Sequence, residues 1–325
     1  MRAFVTGATG FIGGRLLKRL LERGDEVVAL VRREAPWLPG SVQTVRGDVL
    51  APELLGDAGR GCDRLYHLAG LVTFEPRRRD ELLRVNGQGT ANVLAAARRW
   101  RVERCVVVSS AITLGVSNSP DTVLDEEATA SEADVRRNPY LASKLAAEQA
   151  ATDAARDGQH VVIVNPTTVY GPGDRSLNSG TLVASIARAR VVPVPPGGGN
   201  VVDADDVAAG ILAAGERGEA GRRYVLGGAN LPFAEIFAII AEAVGRRPRW
   251  LPLPRCARWP MAAAAWLAGC IAGSRFLTPQ IVSDLFAWKY YSSARAAEEL
   301  GWKAERPLRE SVERAWTFYR EHGLV

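Results

Sequence analysis

The chain has 325 residues, 47% of them apolar and 24% charged, which excludes collagen, coiled coil and disorder and leaves room for one large domain or two modest ones. Basic residues exceed acidic ones only by 41 to 36, without a long basic block. That surplus argues weakly for nucleic acid and fits an anionic small molecule equally well; no nucleic-acid partner is expected.

In chain order, Ala3 to Val5 is a short apolar strand that begins at once, so no secretory leader is expected. Ile12, Leu16, Leu17, Leu20 and Leu21 mark one face of a helix that Gly24 closes with a left-handed cap. Strands follow at Val27 to Val31, Val42 to Val45 and Arg64 to Leu68. A helix around Asp80 to Arg99 leads into a fifth strand, Cys105 to Val108. A second long helix, Tyr140 to Arg156, is capped by Asn138 with Pro139 in its first turn, and His160 to Val164 is a sixth strand. Strands apolar throughout, alternating with helices, predict a doubly wound parallel α/β sheet of Rossmann type. Beyond Pro166 the texture changes. Pro193 to Gly199 reads as a loop, Asp205 and Asp206 start a short helix, Arg222 to Leu226 adds a strand, and helices dominate from Phe233. The expected division is a Rossmann domain from 1–170 plus about 201–226, with a smaller, mostly helical C-terminal lobe from about 171–200 and 227–325.

Four cysteines (Cys62, Cys105, Cys256, Cys270) form no C-x-x-C pair, and three histidines (His67, His160, His322) are too dispersed for a metal site. Cys105 reads as a buried thiol, and the Asp203, Asp205 and Asp206 group as helix capping rather than a metal site. The most apolar uncharged stretch, Trp259 to Ser274, falls short of the roughly 20 residues that span a bilayer, so a cytoplasmic location is expected.

The chemistry concentrates in three places. Gly7, Thr9, Gly10, Phe11, Ile12 and Gly13 lie between the first strand and the first helix. Glycines there allow the turn, the approach of a pyrophosphate and close helix packing, and the helix N-terminus supplies donors. The second strand ends in Arg32 and Arg33 where an acidic residue would bind the ribose of NAD. Arginine there suits a 2′-phosphate, favouring NADP(H) with NAD(H) as the alternative, although Glu34 follows directly. Tyr140 and Lys144 share a helical face, and the fifth strand ends at Ser109 and Ser110, on the sheet edge where ligands bind. A lysine beside a phenol is expected to lower its pKa toward the useful range.

In these residues the chain resembles the extended short-chain dehydrogenase/reductase family, over essentially its whole length. The family's T-G-x-x-G-x-x-G stands as Thr6 to Gly13, and its adenine-contacting G-D-[VL] as Gly47, Asp48 and Val49. H-x-A-[AG], on the pyrophosphate side, is His67, Leu68, Ala69 and Gly70; V-N-x-x-G-T is Val85 to Thr90. The resemblance implies a triad of Ser110, Tyr140 and Lys144, and a nicotinamide-side segment Pro166 to Pro172 that includes Val169. A late V-D-x-D-D-V-A is Val202 to Ala208, and Ser293 to Trp302 matches a closing S-x-x-A-x-x-E-L-G-W. It implies a dimer through paired helices, one bearing Tyr140. The dehydratase Thr-Asp-Glu is absent, since Ser110 is followed by Ala111 and Ile112. Thr168 replaces an asparagine common in nucleotide-sugar members, and Gly199 to Asp203 lacks their arginine. Those losses point away from a nucleotide diphosphate. The chain is similar to bacterial members labelled dihydroflavonol-reductase-like, 3β-hydroxysteroid-dehydrogenase-like or hopanoid-associated sugar epimerase. The expected reaction is hydride transfer between NADP(H) and a secondary alcohol or ketone, with nucleotide-sugar epimerisation by the same triad as the alternative. Trp259 to Phe276, with Trp288, Tyr290 and Tyr291, is expected to pack the second lobe's own core, with an apolar pocket lining as the alternative.

Overall fold

The computed structural model describes residues 1–272 and 279–325, with side chains outside 266–281. The first half lays down β1 (Arg2–Thr6), α1 (Phe11–Glu22), β2 (Glu26–Val31), β3 (Val42–Arg46), β4 (Arg64–His67), α2 (Arg79–Leu82), α3 (Gly89–Trp100) and β5 (Arg104–Val108). Next come α4 (Glu132–Arg137), α5 (Pro139–Arg156), β6 (Val161–Pro166), β7 (Thr168–Tyr170), α6 (Gly180–Arg188), β8 (Val191–Val194), β9 (Gly198–Asp203), α7 (Ala204–Arg217) and β10 (Arg223–Leu226). The chain closes with β11 (Ala229–Pro232), α8 (Phe233–Ala243), β12 (Arg249–Pro252), α9 (Arg258–Ala272), α10 (Pro279–Leu285), β13 (Trp288–Lys289), α11 (Ala294–Leu300) and α12 (Leu308–Glu321).

Seven strands form one parallel sheet in the order β10-β6-β5-β4-β1-β2-β3. The chain winds outward from β1 to β3 and restarts on β1's other side at β4, so the crevice opens where the carboxyl ends of β1 and β4 diverge. Side chains alternate across the strands. Ala3 and Val5 join the core shared with Leu16 and Leu20 of α1 and Val207 and Ile211 of α7. Phe4 faces the other way, into the core with Val93 and Trp100 of α3, its ring 4.8 Å from Trp100. Leu16 and Leu20 are fully buried, each contributing about 2 kcal/mol of hydrophobic stabilisation. Gly24, at φ +75°, closes α1 through Gly24 N–H to the Leu21 carbonyl and Asp25 N–H to the Leu20 carbonyl.

The second half departs from the sequence reading in several short strands, β7, β8, β9, β11, β12 and β13. Pro193 to Gly199, expected as a loop, contributes to two strands. β8 pairs with β12, and β9 carries β7, β11 and β13. Gly198, which reads as a loop residue, is required by crowding in β9 instead. A Cβ on Gly198 would lie 2.7 Å from the Trp288 ring and 2.8 Å from the Leu231 carbonyl. A third core gathers Val183 and Ile186 of α6, Ile236, Phe237 and Ile240 of α8, and Val312 and Tyr319 of α12. Residues 266–276 of the apolar stretch lie beyond the described side chains, as does Cys270. Tyr291 packs with Ala111, Leu114 and Val225 against the main sheet and donates to the Gly115 carbonyl at 2.8 Å. Cys105 is buried, and burial pushes its thiol up to about 12. No described helix is long and apolar enough to cross a membrane.

Candidate active site

The β1–α1 turn is built around the loop that follows β4. Gly7 sits at φ +75°, and a Cβ there would fall 2.6 Å from the Leu68 carbonyl carbon and 2.7 Å from the Ala69 nitrogen. Any L side chain would therefore be strained twice. A Cβ on Gly13 would collide with the Gly7 carbonyl oxygen at 2.0 Å, so only glycine lets α1 begin this close to β1. Gly10 caps α1 with extended backbone and no side-chain hydrogen bond, while Thr9 and Gly10 are exposed. These donors face outward from the end of a helix with no acidic residue in its first turn, as a pyrophosphate requires. Gly173, at φ +107°, places the loop beyond β7 beside Phe11, where an added Cβ would lie 3.7 Å from the Phe11 ring.

His67, the first residue of the H-x-A-[AG] segment, is interior. Its Nδ1 lies 2.7 Å from Thr6 Oγ1 and its Nε2 3.0 Å from Thr90 Oγ1, while Thr6 Oγ1 also accepts the Ala69 N–H at 3.1 Å. Burial, then the Lys144 charge, hold the imidazole down at about 3, so it is neutral and ties the two loop ends together. Asp48 turns its carboxylate onto the Leu50 N–H at 2.9 Å, and Val49 packs against Gly89. Arg32 and Arg33 are exposed at the end of β2, and the Arg32 charge reaches Glu81.

Between α2 and α3, Leu83–Gln88 form a π-helical turn. The widened turn releases Asn86, whose amide accepts from Leu71 N–H at 2.8 Å and donates to the Leu71 carbonyl at 3.0 Å and Ser143 Oγ at 2.8 Å. It thereby joins the loop after β4 to α5. Asn138 caps α5 by accepting the Leu141 N–H at 3.1 Å, and Pro139 occupies the first turn. The next turns carry Tyr140 and Lys144, both buried. Lys144 Nζ donates to the Val108 carbonyl at 2.9 Å, two residues before Ser110, and a Cβ on Gly70 would lie 3.7 Å from that nitrogen. The Phe74 ring meets Tyr140 edge-on at 5.6 Å. Gly7, Leu68, Ala69, Gly70, Ser110, Tyr140 and Lys144 thus converge on one crevice.

The expected effect of lysine on the phenol is corrected. Burial pushes Tyr140 up to about 12, opposed by the Ser110 side chain, and pushes Lys144 down to about 8, opposed by Glu148. Desolvation outweighs the neighbouring charge because both groups, carried by α5 near the end of β5, are buried away from water. At neutral pH the phenol keeps its proton and the amine remains mostly an ammonium.

Several site residues escaped the sequence reading. Asn165, Phe74 and Arg223 are not recoverable from spacing, and Asn86, though part of the V-N-x-x-G-T segment, shows no sign there of its bridging role. Glu148 was recoverable, since it stands one helical turn beyond Lys144 on the same face.

A parallel sheet of this order, with a glycine turn on its first strand and a tyrosine–lysine helix on its crevice, defines a dinucleotide-dependent enzyme of the extended short-chain dehydrogenase/reductase type. The chain belongs to the NAD-dependent epimerase/dehydratase family, matched over residues 3–227. A Synechocystis protein provisionally named dihydroflavonol 4-reductase is 33% identical, over 99% of this chain and 95% of its own. Sterol demethylase protein B of Methylococcus capsulatus is 32% identical over the full length of both. The solved structure of MoeE5 with UDP-glucose and NAD superposes with a TM-score of 0.77 at 26% identity, covering 99% of each chain.

Proposed function

We propose that the protein interconverts an apolar ketone and its secondary alcohol using NADP(H). The observation that carries this reading is the protonated Tyr140 in the crevice, flanked by Ser110 and by the half-buried Phe74 ring. Gly7, Thr9, Gly10, Phe11, Ile12 and Gly13 would hold the pyrophosphate, with Leu68, Ala69 and Gly70 across the cleft. Asp48 and Val49 would border the adenine, Arg32 and Arg33 a 2′-phosphate, and Pro166 and Val169 the nicotinamide. A bound nicotinamide supplies or accepts the hydride.

The chain's own residues do the rest. Ser110 donates a hydrogen bond to the carbonyl oxygen and polarises it. Tyr140 holds its proton at neutral pH and gives it to that oxygen as alkoxide character develops. The Lys144 ammonium steadies the negative charge left on the phenolate and would reach the cofactor's ribose. Phe74 excludes water from the face of Tyr140 and favours an apolar group beside the reacting carbon. Residues 1–170 and about 201–226 would carry the cofactor, and the rest the substrate lobe. The protein would act in the cytoplasm as a homodimer. Small residues on α3 and α5 (Ala91, Ala95, Ala146, Ala150) line a groove where a second copy's helices would fit.

Nucleotide-sugar epimerisation is the second reading, favoured by the likeness to MoeE5, whose structure holds UDP-glucose and NAD. Cofactor accounting separates the two: a reductase consumes NADPH one for one with ketone, whereas an epimerase turns over substrate at catalytic NAD(P). Thermal shift with NADP(H) present, comparing apolar ketones with sugar nucleotides, is expected to favour the ketones. Stabilisation only by sugar nucleotides overturns the ketone reading. For the cofactor, Arg32→Ala is expected to weaken NADPH binding roughly tenfold or more while leaving NADH unchanged, as charge-assisted phosphate contacts are lost. Equal weakening of both cofactors overturns the NADP(H) assignment.

A further inference from the structure

A second buried polar assembly lies directly beneath the triad. Glu148, on α5, is buried, and one of its oxygens, Oε1, receives three donors: Ser109 Oγ at 2.6 Å, Thr113 Oγ1 at 2.8 Å and Asn165 Nδ2 at 2.6 Å. Those donors come from the end of β5, the turn after it and β6. The turn between Ser109 and Thr113 contains Ser110, whose carbonyl also accepts from Asn165 Nδ2 at 3.1 Å and lies 2.9 Å from Thr113 Oγ1, so the single Thr113 hydroxyl proton is shared between it and Glu148. The other carboxylate oxygen faces Arg223 of β10 at 3.4 Å. Arg223 in turn binds the Glu126 carbonyl at 2.7 Å and the Ala128 carbonyl at 2.8 Å.

We infer that Glu148 is a positioning residue for the reaction: its carboxylate clamps the Ser110 turn onto the helix that carries Tyr140 and Lys144 and supplies the buried counter-charge of the Lys144 ammonium. This rests on the ketone-reductase reading for its consequence in turnover, but not for its geometry.

The physical argument has two parts. A fully buried carboxylate is costly unless several donors surround it, and here three neutral donors converge on one oxygen while a single arginine meets the other. Because those donors sit on separate elements, the clamp fixes α5 against two strand ends and so sets the placement of Ser110 relative to Tyr140. The second part is electrostatic. The charged or titratable groups around the Lys144 ammonium are Glu148 on its own helix, Tyr140 one turn earlier and His67 on β4. His67 is neutral, and Tyr140 keeps its proton at neutral pH. Glu148 alone therefore opposes the burial that drives Lys144 down to about 8.

The experiment uses the full-length protein labelled with 13Cε-lysine. The sequence has only four lysines (Lys18, Lys144, Lys289, Lys303), and Lys144→Arg assigns the resonance. Glu148→Gln keeps an acceptor oxygen for the three donors but removes the charge. It is expected to lower the Lys144 titration midpoint by about one pH unit, and Glu148→Asp is expected to restore most of it. An unchanged midpoint in Glu148→Gln overturns the proposal. Should that variant not fold, Glu148→Asp decides alone: its shorter carboxylate recedes from the ammonium, so the midpoint falls by less, and no fall overturns it. Neither measurement needs a substrate, so failure of the reductase reading leaves the result intact. With a ketone turned over, Glu148→Gln should also lower kcat without changing KM for NADPH and move the alkaline fall in kcat to lower pH. A wild-type profile in that variant overturns the positioning role.

Discussion

At the scale of single residues, burial sets the chemistry of the candidate site more than neighbouring charge does. Tyr140 is pushed up to about 12 and is therefore the right form to donate a proton at neutral pH. Replacing it with phenylalanine preserves the ring's packing against Phe74 but removes the proton. Turnover is expected to fall at least about 100-fold while NADPH binding by fluorescence titration stays close to wild type. Undiminished turnover would exclude Tyr140 as the donor. Lys144, lowered to about 8, makes a second prediction. Above that pH the ammonium is lost, so ketone reduction should decline as pH rises through about 8, read from a kcat profile. The stability sign is opposite. Between about 8 and the ordinary lysine value the unfolded chain binds the extra proton, so this group's penalty on folding is relieved as pH rises. Of these residues, Ser110, Tyr140 and Lys144 were legible because their types and order carry the signal. Their protonation was not, since it depends on how deeply α5 is buried.

At the scale of elements, the glycine turn and the π-helical turn between α2 and α3 do the positioning. Gly13→Ala places a methyl where the Gly7 carbonyl already stands. It is expected to cost roughly 1–3 kcal/mol of stability by overpacking and to abolish the thermal shift produced by NADP(H). A variant with wild-type melting and an intact shift would show that the close contact between α1 and β1 is not required. Most strands of the main sheet were readable because they are apolar and buried along their length, whereas β3 exposes Gln43, Thr44 and Arg46 and is read only from Val42 and Val45. β8, β9, β11 and β13 were not readable, because proline or glycine occurs in the first three, β13 has only two residues, and each takes its register from a distant partner, β8 from β12 and β11 and β13 from β9. Gly198 looks like a flexible loop residue in sequence and proves to lie in β9, where the Leu231 carbonyl and the Trp288 ring leave no room for a side chain.

At the scale of the whole molecule, an ion-pair network ties the two ends of the chain together. Asp203 caps α7 by accepting the Asp205 N–H at 2.7 Å. Asp205 meets Arg15 of α1 at 2.6 Å and also Arg314 of α12, and Asp206 accepts the Glu305 and Arg306 N–H groups at 2.9 Å each. Burial pushes Asp205 up, yet its hydrogen bonds and attraction to Arg15 and Arg314 outweigh this and hold it below the ordinary carboxylate range. Its contribution is therefore present above that range and is lost as pH falls through it and below. Arg314→Ala is expected to cost about 2 kcal/mol near neutral pH by leaving part of a buried charge unpaired, with the difference in Tm from wild type shrinking in acid. A constant difference down to low pH would show that packing of Arg314, not its charge, is what matters. The sequence reading of these aspartates as helix capping and dipole compensation holds, with Asp203 as the cap and Asp205 and Asp206 in the first turn of α7, but it does not reveal their arginine partners, Arg314 for Asp205 and Arg306 for Asp206, about a hundred positions away.

Sequence alone determined the parallel α/β class, the glycine turn, the caps of α1 and α5, and the order of serine, tyrosine and lysine. Each is written in local residue types whose consequence is fixed by short-range sterics and helical or strand periodicity. Tertiary structure decided what those residues can do. It buried Tyr140 and Lys144 and turned His67 inward between two threonines. It also gathered Ser109, Thr113 and Asn165 from three segments onto Glu148. Protonation and placement depend on which distant segments exclude water from a group and which donors they aim at it, and neither is a property of neighbours along the chain.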